Sequence, residues 1–292
     1  MGRARWGLRA DIREAENIRK VRLMRLGWVR DFILSERPGG AQVCEALLRR
    51  DTPRGVELVE CPPGAVRDDV DAYIALRCQR YSVEEISQIV SKPCLHWAMD
   101  YWEWNNFEQR DIIFTKSTKI IFGAPLHKSV FVSRWSLGAD AGLLAYPMDV
   151  KHWLSVRERS NGNRSGAMWF GEIHPYKGLD LVLEWATRTE TVLDVYGIGL
   201  QAATHQSPYI NLKGQCTDEE QALALASHEL FPHFPRAPEG FCYSLMEAWL
   251  SGLRVVYSGR IGLDSWEKPW EELAQDCYSA PKRFWELAEQ VL

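Results

Sequence analysis

Between residues 167 and 258 the spacing of apolar positions switches repeatedly. Short apolar runs at 167–170, 191–196, 209–212, 229–233 and 254–258 have the length and density of buried strands. The intervening stretches 176–187, 200–204 and 218–227 repeat their apolar residues at helical intervals instead. A further helix carries Phe241, Leu245, Ala248 and Trp249 on one face and closes at Ser251-Gly252. Strands that alternate with helices predict a parallel sheet covered on both faces, an α/β fold. The first half repeats the theme less regularly. Strands are expected at 21–26, 56–60, 72–76, 94–98, 119–122 and 143–146. Helices are expected at 41–50, after Ser82 (with Glu85 as its capping-box partner) and from Ala124, where Pro125 stands near the first helical position. Residues 264–292 predict two more helices. The polar stretch RERSNGNRSG, residues 157–166, separates the halves and gives domains 1–157 and 158–292.

In such a sheet, ligands bind outside the carboxyl ends of the strands. Gly171, Gly197, Gly214 and Glu239 all follow predicted strands. The stretch FPRAPEGFCYSLMEAWLSG, residues 234–252, concentrates the chemistry. Pro235 and Pro238 keep its start out of helix, and Gly240 lets backbone approach a ligand. Glu239 stands at the mouth of the helix, and Glu247 lies two turns inside it. The amides of Phe241, Cys242 and Tyr243 would face an anion such as phosphate. GEIHPYKG, residues 171–178, joins a strand to a helix and ends in Lys177, a point charge able to reach a diphosphate. Glu172 would repel that diphosphate, so Arg236 is expected either to supply positive charge or to pair with Glu172.

Other motifs narrow the chemistry. Gly197–Ala202 fits the dinucleotide pattern G-x-G-x-x-A. The next strand, however, is followed by Lys213-Gly214-Gln215, without the acid that holds a ribose in dinucleotide enzymes. A pocket for a nucleotide base is the better reading. Pro38-Gly39-Gly40 offers bare amides ahead of a helix. PCLHWAMDYWEW, residues 93–104, sets Asp100 among Trp97, Tyr101, Trp102 and Trp104, as in a floor for a polar ring. His228, Glu229 and His233 do not make a zinc-protease motif, because the spacing is one residue too long and Pro232 interrupts any helix. Neither metal nor cofactor is expected.

Composition limits the surroundings. Apolar residues make up 46% and charged residues 25%, as in soluble globular proteins. Net charge is −4, which favours no general attraction to nucleic acid. The seven cysteines include no CxxC pair and suit reduced thiols in a cytoplasmic protein. No transmembrane segment is expected. Residues 1–30 hold nine Lys or Arg against three acids. That excess reads as a solvated first helix or as a patch for an anionic acceptor.

Glu239-Gly240-Phe241, Glu247-Ala248, Ser251-Gly252 and then Val255-Val256-Tyr257 resemble the Glu-x7-Glu signature of the GT-B glycosyltransferases of family 4 (group 1). FGEIHPYKGLDLVLEWA and VLDVYGIG resemble that family's phosphate-loop and strand motifs, in the same order. The likeness spans residues 39–261, is stronger in the second half, and goes with a shortened N-terminal domain. It implies two Rossmann-like, doubly wound domains with the active site in the cleft between them, and a last helix that crosses back onto the first domain. It also implies transfer of a hexose from a nucleotide-diphosphate sugar, such as a UDP-sugar, to an acceptor hydroxyl, with retention and without a metal.

The same resemblance assigns roles. Glu247 binds the ribose and Glu239 the donor sugar, while Lys177 and Arg236 hold the diphosphate. Gly171, Gly197, Gly240, Phe241 and Cys242 line the donor site. Gly39, Gly40 and Asp100 complete it from the first domain, with Asp100 and Glu239 nearest the chemistry. Two positions depart from the family. Met99 stands where it often carries a His, and Glu172 where it carries an Arg; on an extended strand His96 faces away from Met99 and does not substitute. Two other readings follow. One is a transferase acting on a modified base of DNA, served by the basic leader, so that acceptors range over glycans, small molecules and modified nucleic acid. The other is a non-catalytic relative that binds a nucleotide sugar or a partner protein.

Overall fold

A computed structural model describes residues 23–31, 39–99, 109–134, 140–160, 162–198, 207–259 and 261–292. Asp100, the basic residues before 23 and the expected helix at 200–204 lie outside the described residues.

The described residues form two parallel sheets. The first holds β1 (Met24–Arg30), β2 (Val56–Cys61), β3 (Ala72–Arg77), β4 (Cys94–Ala98), β5 (Lys119–Phe122) and β6 (Asp140–Leu143). Their order is β2-β1-β3-β4-β5-β6, and every pairing is parallel. Helices α1 (Gly40–Arg50), α2 (Val83–Ile89), α3 (Arg110–Lys116) and α4 (Pro125–Arg134) connect them. After α5 (Val150–Glu158) comes the second sheet, with β7 (Ala167–Glu172), β8 (Leu193–Ile198), β9 (Ile210–Gly214), β10 (Leu230–His233) and β11 (Arg254–Tyr257). It runs β11-β10-β7-β8-β9, again all parallel. Helices α6 (Leu179–Arg188), α7 (Asp218–Ser227) and α8 (Tyr243–Leu250) cross over its strands, and α9 (Trp270–Val291) closes the described chain. Sheets buried on both faces need strands that are apolar throughout. All five residues of β4 are buried accordingly. All seven cysteines are free and buried.

Local rules account for most boundaries. Ser82 accepts the Glu85 amide while Glu85 takes the Ser82 amide, the expected capping box. Thr217 and Glu220 do the same at α7. Several expectations shift. The strand expected at 143–146 lies at Asp140–Leu143. Leu144, Ala145, Tyr146 and Met148 are apolar because they run through the shared core between the two sheets. The helix expected at 176–187 is split: a 3-10 turn, Pro175–Lys177, precedes α6, and Gly178 between them is left-handed (φ 65°). Helix α5 was not expected; Asp149 caps it by accepting the His152 amide at 3.1 Å.

The largest core cluster spans both sheets. Helix α9 packs against α1, α5 and β4. Its Trp285 Nε1 donates to the Leu48 carbonyl at 2.9 Å and its ring stacks on Trp28 at 6.3 Å. Phe284 stacks on Trp97 at 5.4 Å. Pro281 sits inside α9 and has no N–H, which leaves the Cys277 carbonyl without its usual helical donor. The Met148 amide fills that vacancy at 3.3 Å, tying α9 to the stretch that joins the two sheets. Among the described residues no helix is long and apolar enough to cross a membrane.

Candidate functional site

The site grows from the loops after β7 and β10. Gly178 permits the arrangement: a side chain there would meet the Phe234 carbonyl at 2.0 Å. With glycine in place the loop after β10 lies against the 3-10 turn, and the Arg236 amide donates to the Tyr176 carbonyl at 2.8 Å. This brings the Lys177 Nζ to 2.9 Å from Glu239 Oε1. His233, the last residue of β10, places Nε2 3.3 Å from the same oxygen and 3.3 Å from Cys242 Sγ. Cys242 precedes α8 in a left-handed conformation (φ 81°) that turns its thiol toward His233. His233, Glu239 and Cys242 are all buried.

Electrostatics locks this cluster. Burial alone would push the Glu239 carboxyl up, but the contacts from His233 and Lys177 outweigh it and hold the group ionised, below the usual carboxylate range. Burial alone would lower Lys177, and the Glu239 carboxylate reverses that. The same contest, with Cys242 and Glu239 on the other side, raises His233. The mouth of α8 therefore holds two cations and one anion. The first amides of a helix have no partners within it, which adds to the site's preference for anions.

Glu247 is buried on α8, and its Oε2 accepts Gln221 Nε2 of α7 at 3.3 Å. An ordinary solvated helix face is thereby excluded for it. Gly171 and Gly197 pair in register at the ends of β7 and β8. A side chain at Gly197 would meet the Gly171 carbonyl at 2.3 Å, so sheet packing by itself demands glycine there.

The first sheet meets this mouth through backbone. A side chain at Gly40 would approach the Tyr243 ring to 2.6 Å, which places the start of α1 directly on the start of α8. One at Gly240 would lie 3.4 Å from His127 Nδ1 and 3.6 Å from the Met99 carbonyl. Tyr146 Oη donates to that carbonyl at 2.7 Å, and Phe241 packs on Tyr146 with centroids 5.3 Å apart. Gly39, Gly40, Lys177, Glu239, Gly240, Phe241 and Cys242 are thus assembled around one mouth.

Several expectations need correcting. The Gly39 amide is not bare, because the Gln42 side chain turns back and accepts it at 2.9 Å. Arg236 pairs with Asp180 rather than Glu172; its Nε lies 3.3 Å from Asp180 Oδ1, on the outer side of the loop. Trp97 is no sugar platform, since it is fully buried between Tyr146 and Phe284. By contrast, His96 is the non-substituting imidazole that was expected, buried on the Ala75 carbonyl at 3.0 Å. His233 was missed as a site residue. It was weighed only as a zinc-protease ligand, although its place closing a strand at the sheet's carboxyl end was the signal. A concavity lined by Ser165, Thr191, Asp194 and His228 opens at the other end, where β7 and β8 begin, away from these groups.

No protein-family model matches the chain, and no curated protein matches it. Solved structures do. HepE from Anabaena, solved with UDP and glucose, is 14% identical, with 88% of this chain and 89% of that chain covered and a TM-score of 0.62. Sucrose-phosphate synthase from Thermosynechococcus elongatus is 13% identical over 91% of this chain and 98% of that one, with a TM-score of 0.61. AviGT4, a glycosyltransferase of avilamycin A biosynthesis, is 13% identical over 92% and 98%, with a TM-score of 0.59. The fold is GT-B. Within the GT-B fold, the loops after β7 and β10 and the start of α8 occupy the carboxyl ends of the second sheet's strands, where ligands of doubly wound sheets bind.

Proposed function

We propose that this protein is a glycosyltransferase that moves a hexose from a UDP-sugar to an acceptor hydroxyl. The observation that carries the reading is the Lys177–Glu239–His233 cluster at the mouth of α8, facing the Gly40 and Met99 loops of the other sheet. HepE, with a similar fold, is solved with UDP and glucose, which supports a uridine donor. Lys177, freed from its pairing, holds the diphosphate together with the α8 amides, and Glu239 takes the hydroxyls of the donor sugar. Glu247 takes the ribose hydroxyls. Gly171 and Gly197 lie beside the donor at the strand ends, where sheet packing already demands glycine at 197. Arg236, engaged with Asp180, has a smaller part than Lys177.

In the reaction the bond from the anomeric carbon to the UDP oxygen breaks and its electron pair leaves with UDP. The acceptor oxygen forms the new bond and gives up its proton. Met99 cannot take that proton, so the departing phosphate does so, on the face it has just left, and configuration is retained. Asp100 is proposed to position the acceptor and stabilise positive charge on the sugar. Amides and Lys177 stabilise the leaving diphosphate, so transfer needs no metal. The buried free thiols fit a cytoplasmic setting.

The test is a thermal-shift screen across nucleotide-diphosphate sugars, followed by turnover with labelled UDP-glucose against glycan, small-molecule and modified-DNA acceptors. A ligand bound only by the folded state raises the melting temperature. A UDP-sugar that shifts it and is consumed supports the proposal. Binding without transfer or hydrolysis on any acceptor would favour the non-catalytic alternative, for which Met99 and Glu172 speak.

A further inference from the structure

The cluster at the mouth of α8 contains a nitrogen, a sulfur and an oxygen ligand with no sequence motif to announce them. His233 Nε2 lies 3.3 Å from Glu239 Oε1 and 3.3 Å from Cys242 Sγ, and all three atoms fall within 4.8 Å of one another. Ligands held about 2.0–2.3 Å from a tetrahedral zinc ion stand roughly 3.3–3.6 Å apart. Two edges of this triangle therefore already have tetrahedral length. The donor set also selects the metal. Magnesium and calcium want oxygen ligands, whereas imidazole with thiolate suits zinc. All three side chains are buried and come from a strand end, a loop and a helix start, so little freedom remains for ordering on binding.

We propose that His233, Glu239 and Cys242 form a zinc site with three protein ligands and one open position, and that zinc and the nucleotide-sugar donor exclude each other there. Zinc takes the thiolate form of Cys242 and the unprotonated Nε2 of His233, and any proton that either atom carries is released to solvent. Lys177 shares Glu239 Oε1 at 2.9 Å in the metal-free protein. Its side chain is 28% exposed, so the ammonium can turn outward when zinc takes that oxygen. The metal acts here as an inhibitor and has no part in transfer. Coordination stands independently of the proposed function, whereas the antagonism rests on Glu239 being a donor ligand.

The experiment titrates reduced, metal-free, full-length protein with Zn2+ by calorimetry and with Co2+ by absorption. Wild type is expected to bind one ion per chain and to show a thiolate-to-cobalt charge-transfer band. Cys242→Ser and His233→Gln, each checked by circular dichroism to be folded at the temperature and pH of the titration, are expected to lose at least about 100-fold in zinc affinity, since even outer groups around metal ligands typically cost 10–100-fold. Equal zinc affinity in wild type and Cys242→Ser, or the absence of the charge-transfer band, overturns the site. Six other cysteines are buried elsewhere, and binding that survives Cys242→Ser would belong to them. Saturating zinc is further expected to weaken UDP-glucose binding at least about 10-fold in wild type. Zinc that binds with the expected variant pattern but leaves UDP-glucose affinity untouched would overturn the exclusion. A protein that binds zinc with this pattern and no UDP-sugar under any condition would overturn the donor reading and leave the coordination standing.

Discussion

His96 stands within β4 of the first sheet and His233 at the end of β10 of the second, and neither exposes more than 2% of its surface. Burial drives His96 down to about 4, against the smaller effect of its bond to the Ala75 carbonyl. Burial pushes His233 the same way, but Cys242 and Glu239 outweigh it and raise the imidazole to about 10. One imidazole is neutral and the other a cation, on strands of the same type. The difference lies in what the neighbouring loops bring. After β7 and β10 the chain gathers a lysine and a carboxylate. To that mouth the described chain after β1 and β4 brings Gly40, against the Tyr243 ring, and the Met99 carbonyl, while the buried Asp31 that follows β1 pairs with Arg77 at 3.2 Å. At the mouth of α8 the second sheet supplies charge, and the first supplies shape.

That contrast can be broken at several points. The largest expected effect is on stability. Trp97→Ala removes a fully buried ring between Tyr146 and Phe284 and should cost about 3–5 kcal/mol in denaturant unfolding, with the UDP-glucose affinity of folded protein unchanged. Intact stability with lost donor binding would return Trp97 to the role of a sugar platform. Glu239→Gln should lower turnover by about 10²–10³, the scale of one lost electrostatic contact in a water-poor site. Near-normal turnover would show that the charge of the second sheet is structural only. Glu247→Gln should weaken UDP-glucose binding by roughly 1.5–3 kcal/mol for a lost charged hydrogen bond, measured by calorimetry, while the melting temperature stays close to wild type.

The smallest effects are in pH dependence, and they have opposite signs. The lowered value of His96 means that the unfolded chain takes up a proton first as pH falls. Its contribution to stability is present above 6.5 and is lost as pH drops toward 4. The raised value of His233 makes its contribution complete below 6.5 and fading as pH climbs toward 10. Melting curves of His96→Gln and His233→Gln against wild type across that range should diverge at opposite ends. Parallel curves would remove the contrast between the two imidazoles.

The second sheet was legible because its signals are local. Alternating spacing, the helix start after Pro238 and the two carboxylates eight residues apart can be read without knowing what lies across the molecule. The pairing of Lys177 with Glu239 was half legible: both residues were singled out, but their contact depends on Gly178 lying under the Phe234 carbonyl. Trp97 was misread because an aromatic residue beside a polar one suits a binding floor as well as a core. Its true partner Phe284 sits on a helix far along the chain. Helix α5 escaped because its residues show only a weak apolar stripe, and the Asp149 cap that starts it follows Pro147 closely. Charge alone offered Arg236 either the diphosphate or Glu172 as a partner, whereas the first turn of α6 presents Asp180 to it.

The seat of α9 on the first sheet has a consequence for how the chain is made. Leu48, whose carbonyl receives the Trp285 indole, leaves the ribosome 237 residues before its partner. At about 5–20 residues per second, that is a wait of roughly 10–50 seconds. Through that interval Trp28 and Trp97 have neither Trp285 nor Phe284 to cover them. The nascent first sheet is therefore a sticky intermediate that folding factors would have to shield, and shortening the delay between those two segments by circular permutation would lessen its aggregation.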